Sequence, residues 1–498
     1  MNMKRDMFIA QKVIAKKEGL KAKRAAFESL WQEVSELVLP RKADFTVRQN
    51  AGVKRTRKLF ETTAVNAAEM LAAGLHGLLT NPAGRWFSLR LKKRRNNPEI
   101  EEWLQNVCDV MIEEFSCPSA GFSTNIHEVY LDLAVLGTAG LYVGWNAQKD
   151  SLLFQARFLG DLFIEENDAG QVDSVYRIFK WPLKKIVQTW GEEALPDNLK
   201  NAWRNNPDSE EEIELLHAVL PNAEYAGKRA SKPVLSLYLC VGERHVLFQG
   251  GFEEMPLFVV RWSKACGEVY GRSPAISSLP DIKMLQEMMK ETIIAAQLAN
   301  RPPLLVKDDE QFSPAATVPG GILRYSGEAP KTFVSGANSS VGLGIMNEIR
   351  DRLRSAFFND RLTTQNTATM TATEVIQRTE EKMRLLGPAL GRVQTELLGP
   401  MIERVFGLLY RHGKLPAFPE GVSFEDVCVE YLSPLALAQK RCESGALLQT
   451  LNLAQEVVKL TPEAAAVLNA NEILRKIGEM YGTSSALVRN GNVSEGVS

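Results

Sequence analysis

In "AFESLWQEVSELVLP" the apolar residues Phe27, Leu30, Trp31, Val34 and Leu37 recur at the three-and-four spacing of one helix face, and Pro40 ends the pattern. A second helix is predicted in "TTAVNAAEMLAAGLHGLLT". Its small residues, with Gly74 and Gly77, suit close packing, and it stops before Asn81 and Pro82. From Gly140 the period changes. "LYVGW", "LLFQARFL" and "SVYRIFKW" read as short strands between Gly, Asp and Asn turns; "PVLSLYLCVGERHVLFQGGF" reads as two strands joined at Gly242 to Arg244, with "PLFVVRW" as a third. After "YGRSPAISSLPD" helical spacing returns over Ile282 to Asn300 and stops at Arg301, Pro302 and Pro303. A compact β-like insert follows, then a helix from about Gly342 to Phe358. The fold class expected is α+β, mainly helical.

The next stretch breaks both patterns. "NDRLTTQNTATMTATEVIQRTEEK" (Asn359 to Lys382) is rich in small hydroxyl and amide side chains and leads into a helix expected from about Thr373 to Arg411, roughly 60 Å at 1.5 Å per residue. Thr371 and Glu374 have the spacing of a capping box at that helix start. Leu386, Leu390, Val393, Leu397, Met401, Val405 and Leu408 form its apolar stripe. Pro388 and Pro400 each remove a backbone hydrogen bond, at about 3 kcal/mol in a straight helix, so kinks are expected at both. The polar run itself has two readings, a surface linker or a loop selected for neutrality. Beyond Pro416 and Pro419 the chain is again mostly helical and ends in the polar tail "NGNVSEGVS".

Composition narrows the function classes. The 498 residues, 45% hydrophobic and 24% charged, suit a globular chain of two to four domains. The most apolar run, "VYLDLAVLGTAGLYVGW", is interrupted by Asp132, Gly137, Thr138 and Gly140 and reads as buried structure rather than a membrane span. The basic N-terminus lacks the apolar length and cleavage site of a signal peptide, so a cytoplasmic chain is expected. Six scattered cysteines, with no C-x-x-C pair, fit reduced thiols and argue against zinc. The net charge of −1 hides an asymmetry: residues 1–100 hold 21 Lys and Arg against 9 Asp and Glu. Clusters such as "VKRTRK" and "RLKKRR" suit either nucleic acid or an acidic protein face, and a solvated basic surface is the plainer alternative.

Chemistry-bearing motifs are missing from the sequence. It contains no P-loop, no H-E-x-x-H and no G-x-S-x-G, and its five histidines are dispersed. Adjacent acids such as "KDDE" lie in polar turns. A structural or binding role without cofactor or metal is expected rather than catalysis.

Four stretches, in order, carry a resemblance: "LFETTAVNAAEMLAAGLHGLLTNPAGRWFSL", "HEVYLDLAVLGTAGLYV", "YGRSPAISSLPDIKMLQ" and "TATEVIQRTEEKMRLLGPALGRVQTELLGPMIERVFGLLYRHGKLP". Over about residues 20 to 490 the chain resembles the portal, or head-to-tail connector, proteins of short-tailed bacteriophages. The resemblance implies a homo-oligomeric ring of twelve copies at one capsid vertex of the virion, assembled in the host cytoplasm. Double-stranded DNA would pass through it in packaging and ejection, and the terminase large subunit, tail adaptor proteins, and major capsid and scaffolding proteins would be its partners. It further implies a wing over 1–272 (β-rich at 140–263), stem helices at 273–300 and 341–358, a clip at 301–340 and a tunnel loop at 359–370. The kinked helix at 371–412 would return to the wing, and 413–498 would form the crown and tail. On this resemblance Arg361, Thr363, Thr364, Gln365, Asn366, Thr367 and Thr369 line the DNA channel, and Lys307, Asp308, Asp309, Glu310 and Arg324 face the motor and the tail.

A conduit supplies a physical reason for the neutral run. Each Lys or Arg contact to phosphate releases counterions and adds sequence-independent affinity, which acts as friction on moving DNA. Residues 278–370 hold 10 Lys and Arg against 10 Asp and Glu, a balance that agrees. The alternative is a non-viral oligomeric scaffold or an enzyme with an unfamiliar site.

Overall fold

The computed structural model describes residues 2–50, 52–82, 84–92, 98–222, 232–300, 304–305, 331–332, 339–362 and 386–431. Helix α1 (Asn2–Val38) and a 3-10 turn (Pro40–Lys42) precede α2 (Thr63–Leu79), strand β1 (Phe87–Leu91), α3 (Pro98–Ser116) and α4 (Phe122–Leu136). Strands β2 (Thr138–Asn146), β3 (Ser151–Arg157), β4 (Leu162–Glu166) and β5 (Val172–Pro182) come next. Two short helices, α5 (Leu183–Trp190) and α6 (Asp197–Asn205), lead to β6 (Glu212–Pro221), β7 (Val234–Cys240), β8 (His245–Phe252) and β9 (Leu257–Arg261). A single turn, α7 (Pro274–Ser277), opens α8 (Leu279–Asn300). The two-residue strands β10 (Leu304–Leu305) and β11 (Lys331–Thr332) pair, and α9 (Ser339–Ala356) and the turn α10 (Asn359–Leu362) follow. Helix α11 occupies residues 386–411, and β12 (Val427–Tyr431) returns to pair with β1.

The mixture of helix and antiparallel sheet is the α+β class expected. Five strands form one sheet in the order β4-β5-β6-β7-β8, and β3-β2-β9 form another. Three apolar clusters hold these layers. The largest joins the C-terminal half of α1 (Trp31, Val34) to α2, α4, the three-stranded sheet, the start of α8, one side of α9 and the length of α11. The second places Ala10, Val13 and Leu20 of α1 on one face of the five-stranded sheet, and the third covers part of the opposite face with α5 and α6.

Helix α1 extends well before the apolar stripe that begins at Phe27 because its two halves serve two cores. Between them lies Arg24, 4% exposed, which donates to the carbonyls of Leu159 (3.3 Å), Leu162 and Gly160 (3.0 Å), pairs with Glu28 (2.6 Å) and stacks 3.7 Å over Phe163. One buried cation thus ties the helix to the turn before β4. Short α5 and α6 carry too few residues to show a period and, like the ten-residue β6, were not read from the sequence; packing on the five-stranded sheet makes them stable.

Candidate functional site

Of the residues expected to line a channel, Thr363, Thr364, Gln365, Asn366, Thr367 and Thr369 lie outside the described residues, as do Lys307, Asp308, Asp309, Glu310 and Arg324 and the capping pair Thr371 and Glu374. Arg361 belongs to the turn α10, so the neutral stretch opens as helix over its first four residues. Asn359 is buried there. Its amide nitrogen, oriented by the donors and acceptors around it, donates to the carbonyls of Ala67 (3.1 Å) and Phe357 (3.2 Å). Phe358 just before it takes φ +59°, a left-handed turn that reverses the chain after α9.

The described geometry is concentrated where α8 and α9 leave the body. Ile282, Leu285, Met346, Ile349, Leu353 and Phe357 are buried in the main core, so one end of each helix is rooted. Further along α8, Glu291 and residues 293–297 are exposed. Exposed apolar side chains on the pair include Met284, Ile293, Ile294, Leu343 and Ile345. Ile293 and Ile294 of α8 and Leu343 and Ile345 of α9 lie in the parts of the two helices farther from the buried root, Met284 nearer to it.

The root is pinned by polar groups from the stretch "LFETT". Gln286, 6% exposed, accepts from the backbone N–H of Phe60 (2.7 Å) and Glu61 (3.0 Å) and donates to the Glu61 carbonyl (2.6 Å). The Glu61 carboxylate accepts from Thr63 N (2.9 Å) and Thr63 Oγ1 (2.5 Å) at the start of α2, and pairs with Arg350 of α9 at 3.3 Å. Lys283 reaches Glu33 of α1 at 2.6 Å. Both projecting helices are thereby bonded to one segment before α2.

Below the root, "LGTAG" and "YGRSP" meet. Gly137 ends α4 at φ +76°, where a Cβ would lie 2.6 Å from the backbone of Gly271 and Arg272. Only glycine meets both demands. Thr138 Oγ1 accepts from Gly271 N at 2.8 Å, and Ser273 Oγ donates to Val135 O at 2.7 Å while accepting from Ile276 N at 2.9 Å as the cap of α7. Pro274 occupies the first helical position, where its missing N–H costs nothing. The stem root is therefore built from two stretches more than 130 residues apart.

Helix α11 is joined to this body by buried charge. Pro400 cannot donate to the carbonyl four residues back. The chain responds with a π-turn at Gln394–Leu398, in which Gly399 N–H reaches the Gln394 carbonyl, and Tyr431 Oη adds a bond to that oxygen at 3.2 Å. Pro388 stands within the first described turn of α11. The π-turn carries Glu396, whose carboxylate binds the fully buried Arg261 of β9 through its backbone N–H (3.0 Å), Nε (3.1 Å) and Nη2 (2.7 Å). Arg261 also binds Glu166, Val269 O (3.2 Å) and Gly170 O (3.0 Å). Burial alone would lower the basicity of the guanidinium, but the bonds and charges of Glu396 and Glu166 outweigh it and raise its pKa. For Glu166, burial would raise the pKa, and the bonds from Lys264 and Arg261 hold it below the usual range. Farther along α11, Arg404 donates to Val143 O and Glu254 O, both at 2.8 Å.

Sequence reading missed Arg261, Glu396, Gln286 and Glu61. A signal existed for the first: "LFVVR" is buried at every position, and a charge in such a strand requires a partner. Nothing local identifies that partner as Glu396.

The basic N-terminal clusters are partly matched within the chain, Arg55 by Asp44 (2.5 Å) and Lys58 by Glu36 (2.5 Å). Among the described residues no group of three or more His, Cys, Asp or Glu could hold a metal, and no helix is long and apolar enough to cross a membrane.

The sequence is 28% identical over 490 residues to the probable portal protein of Bordetella phage BPP-1, covering 95% of this chain and 87% of that protein. It is 28% identical over 487 residues to the portal protein of Salmonella phage epsilon15, covering 94% and 87%. Residues 10–488 match the family described as bacteriophage head to tail connecting protein. With the match extending from α1 through the rooted helix pair to the segment beyond β12, the chain belongs to the bacteriophage head-to-tail connecting protein family.

Proposed function

We propose that this head-to-tail connecting protein forms a closed ring, of twelve copies, at one capsid vertex, and that the ring is the conduit through which double-stranded DNA is packaged and later ejected. The observation that carries the reading is the projecting pair α8 and α9. Its root is buried and hydrogen-bonded, while Met284, Ile293, Ile294, Leu343 and Ile345 are left exposed. In a ring each subunit meets the next through a heterologous interface whose rotation closes, and these side chains are of the kind such an interface covers. On this reading 1–272 is the wing, 273–300 and 341–358 are the stem, and α11 returns from the channel wall to the wing. The clip at 301–340, with Lys307, Asp308, Asp309, Glu310 and Arg324, docks the terminase large subunit and then tail adaptor proteins. Residues beyond 413, apart from β12, which pairs with β1 of the wing, form the crown, and capsid and scaffolding proteins contact the outer wing. The role is structural rather than catalytic.

Electron microscopy of the purified protein tests the ring directly. Annular particles with a hole wide enough for duplex DNA are expected; monomers in solution together with no annular feature in assembled heads reject it. The channel assignment has its own test. Replacing Thr363, Thr364 and Gln365 by lysine places three cations per subunit against phosphate, so packaging or ejection should slow in a salt-dependent way. Serine at the same positions should have little effect. DNA transfer at the unmodified rate at low ionic strength in the lysine variant rejects the channel assignment and leaves the ring untouched.

A further inference from the structure

The face of the five-stranded sheet that α5 and α6 cover only in part carries more positive charge than the one acid facing it, Asp161, can match. Register places Leu162, Arg177, His217, Tyr238 and Phe248 side by side on β4, β5, β6, β7 and β8. The three-stranded sheet contributes Arg157, at the end of β3 opposite Gly140. A Cβ at Gly140 would touch Leu162 and come within 3.7 Å of Arg157 Cβ, so the two arginine-bearing strands meet across Leu162. Arg157 lies 5.1 Å over the ring of Tyr142, and Arg177 lies 4.5 Å over that of Phe179.

The Nε atoms of both arginines are shut off from solvent and have no hydrogen-bond partner. A buried guanidinium N–H without an acceptor is costly, and two guanidinium groups that share one carboxylate still repel one another. Arg157 donates through Nη2 to the neutral Gln155. Asp161 is the acid that faces the pair: Arg177 acts on it more strongly than any other charge, and it is shared with Arg48, at 3.6 Å, and with Arg24 and Arg157. His217 does not add charge. Burial, then the two arginines, push its pKa down to about 3, and its neutral ring stacks on Tyr238 at 4.0 Å and bonds Ser236 Oγ at 3.0 Å. The same two causes, burial first and Arg177 second, lower Arg157 to about 10. The neighbourhood is therefore short of negative charge, and its two Nε–H groups lack a protein acceptor.

We propose that Arg157 and Arg177 form a binding site for a phosphate group, seated between the three-stranded sheet and the open part of the five-stranded sheet face. A phosphate carries between one and two negative charges near neutral pH and presents several acceptor oxygens. It can satisfy both forks at once, whereas one carboxylate would leave a charge unmatched. The phosphate could come from a free ion or from a nucleic-acid backbone, and the same chemistry serves both.

The test is thermal unfolding of the full chain titrated with sodium phosphate, against sodium chloride at matched ionic strength, and separately with a short DNA duplex. Phosphate raises stability without binding by exclusion from protein surface, a rise that is linear and common to all variants. The site predicts an added, saturable rise, whose half-saturation moves upward by at least about tenfold in Arg157→Gln and in Arg177→Gln. Arg177→Lys keeps the charge, removes the fork and should give a weakened but saturable response; it also serves if either glutamine variant fails to fold. Saturation by free phosphate identifies a free anion as ligand, and saturation by the duplex alone identifies the phosphodiester. A linear rise in the wild type with both titrants, or a saturable rise unchanged in the variants, overturns the proposal.

Discussion

Replacing Arg261 by methionine should loosen α11 from the body. The side chain is fully buried and makes five hydrogen bonds, two of them to Glu396 and one to Glu166. Methionine fills much of the same volume without charge, so the loss is electrostatic rather than a cavity. Removing one partner of a buried ion pair costs about 3–5 kcal/mol, because the other charge is left uncompensated. Here the residual partners matter. Glu396 keeps Arg392 at 3.0 Å and the backbone N–H of residue 261 at 3.0 Å, and Glu166 keeps Lys264. These place the expected loss near the lower bound, about 3 kcal/mol. Changing Glu396 to methionine as well removes the stranded carboxylate and should restore about 2 kcal/mol. Urea unfolding followed by tryptophan fluorescence, at one fixed protein concentration so that assembly does not confound the midpoint, gives each leg of the cycle. The pH dependence has a definite sign: Glu166 is held below its unfolded pKa, so its stabilising contribution is complete above that value and is lost as pH falls through the depressed folded one. A methionine variant within about 0.5 kcal/mol of wild type, or a double variant no more stable than the single one, would refute the reasoning.

Three further changes probe the rest of the joint. Gly137→Ala forces a Cβ to within 2.6 Å of the Gly271 and Arg272 backbone at φ +76°, so a loss of about 3 kcal/mol or more is expected, seen as collapse of soluble yield or of the melting temperature. Gln286→Leu strands the N–H groups of Phe60 and Glu61; a cost of about 2 kcal/mol should appear as faster hydrogen exchange at those two amides, with α3 unaffected. Asp132 on α4 is 1% exposed, and burial raises its pKa to about 6 although Lys42 lies 2.6 Å away. Its folded pKa lies above the unfolded value of 3.8, so the native state binds the extra proton and this contribution to stability falls as pH rises from there to about 6. Asp132→Asn should therefore gain on wild type across that window; equal pH profiles for the two proteins would remove Asp132 as the titrating group.

Helical spacing around Phe27, along α2, over Ile282 to Asn300 and after Gly342, and the short β-type runs between turns that became β2, β3, β5, β7, β8 and β9, are properties of consecutive residues and were legible from the chain alone. So were the four ordered stretches that point to the connector family. What those stretches do was not legible. "LFETT" supplies the acceptors and donors for Gln286 and Arg350, and "LGTAG" and "YGRSP" form a backbone contact that tolerates no Cβ. Pro400 predicted a disturbance in α11, but the form it takes, a π-turn that aims Glu396 at Arg261, depends on Tyr431 and β9 being in place. Periodicity measures which face of an element is buried. It carries no information on which distant charge will neutralise Arg261, or on why Arg157 and Arg177 share the single acid Asp161, because those depend on elements brought together only by the completed packing of the chain.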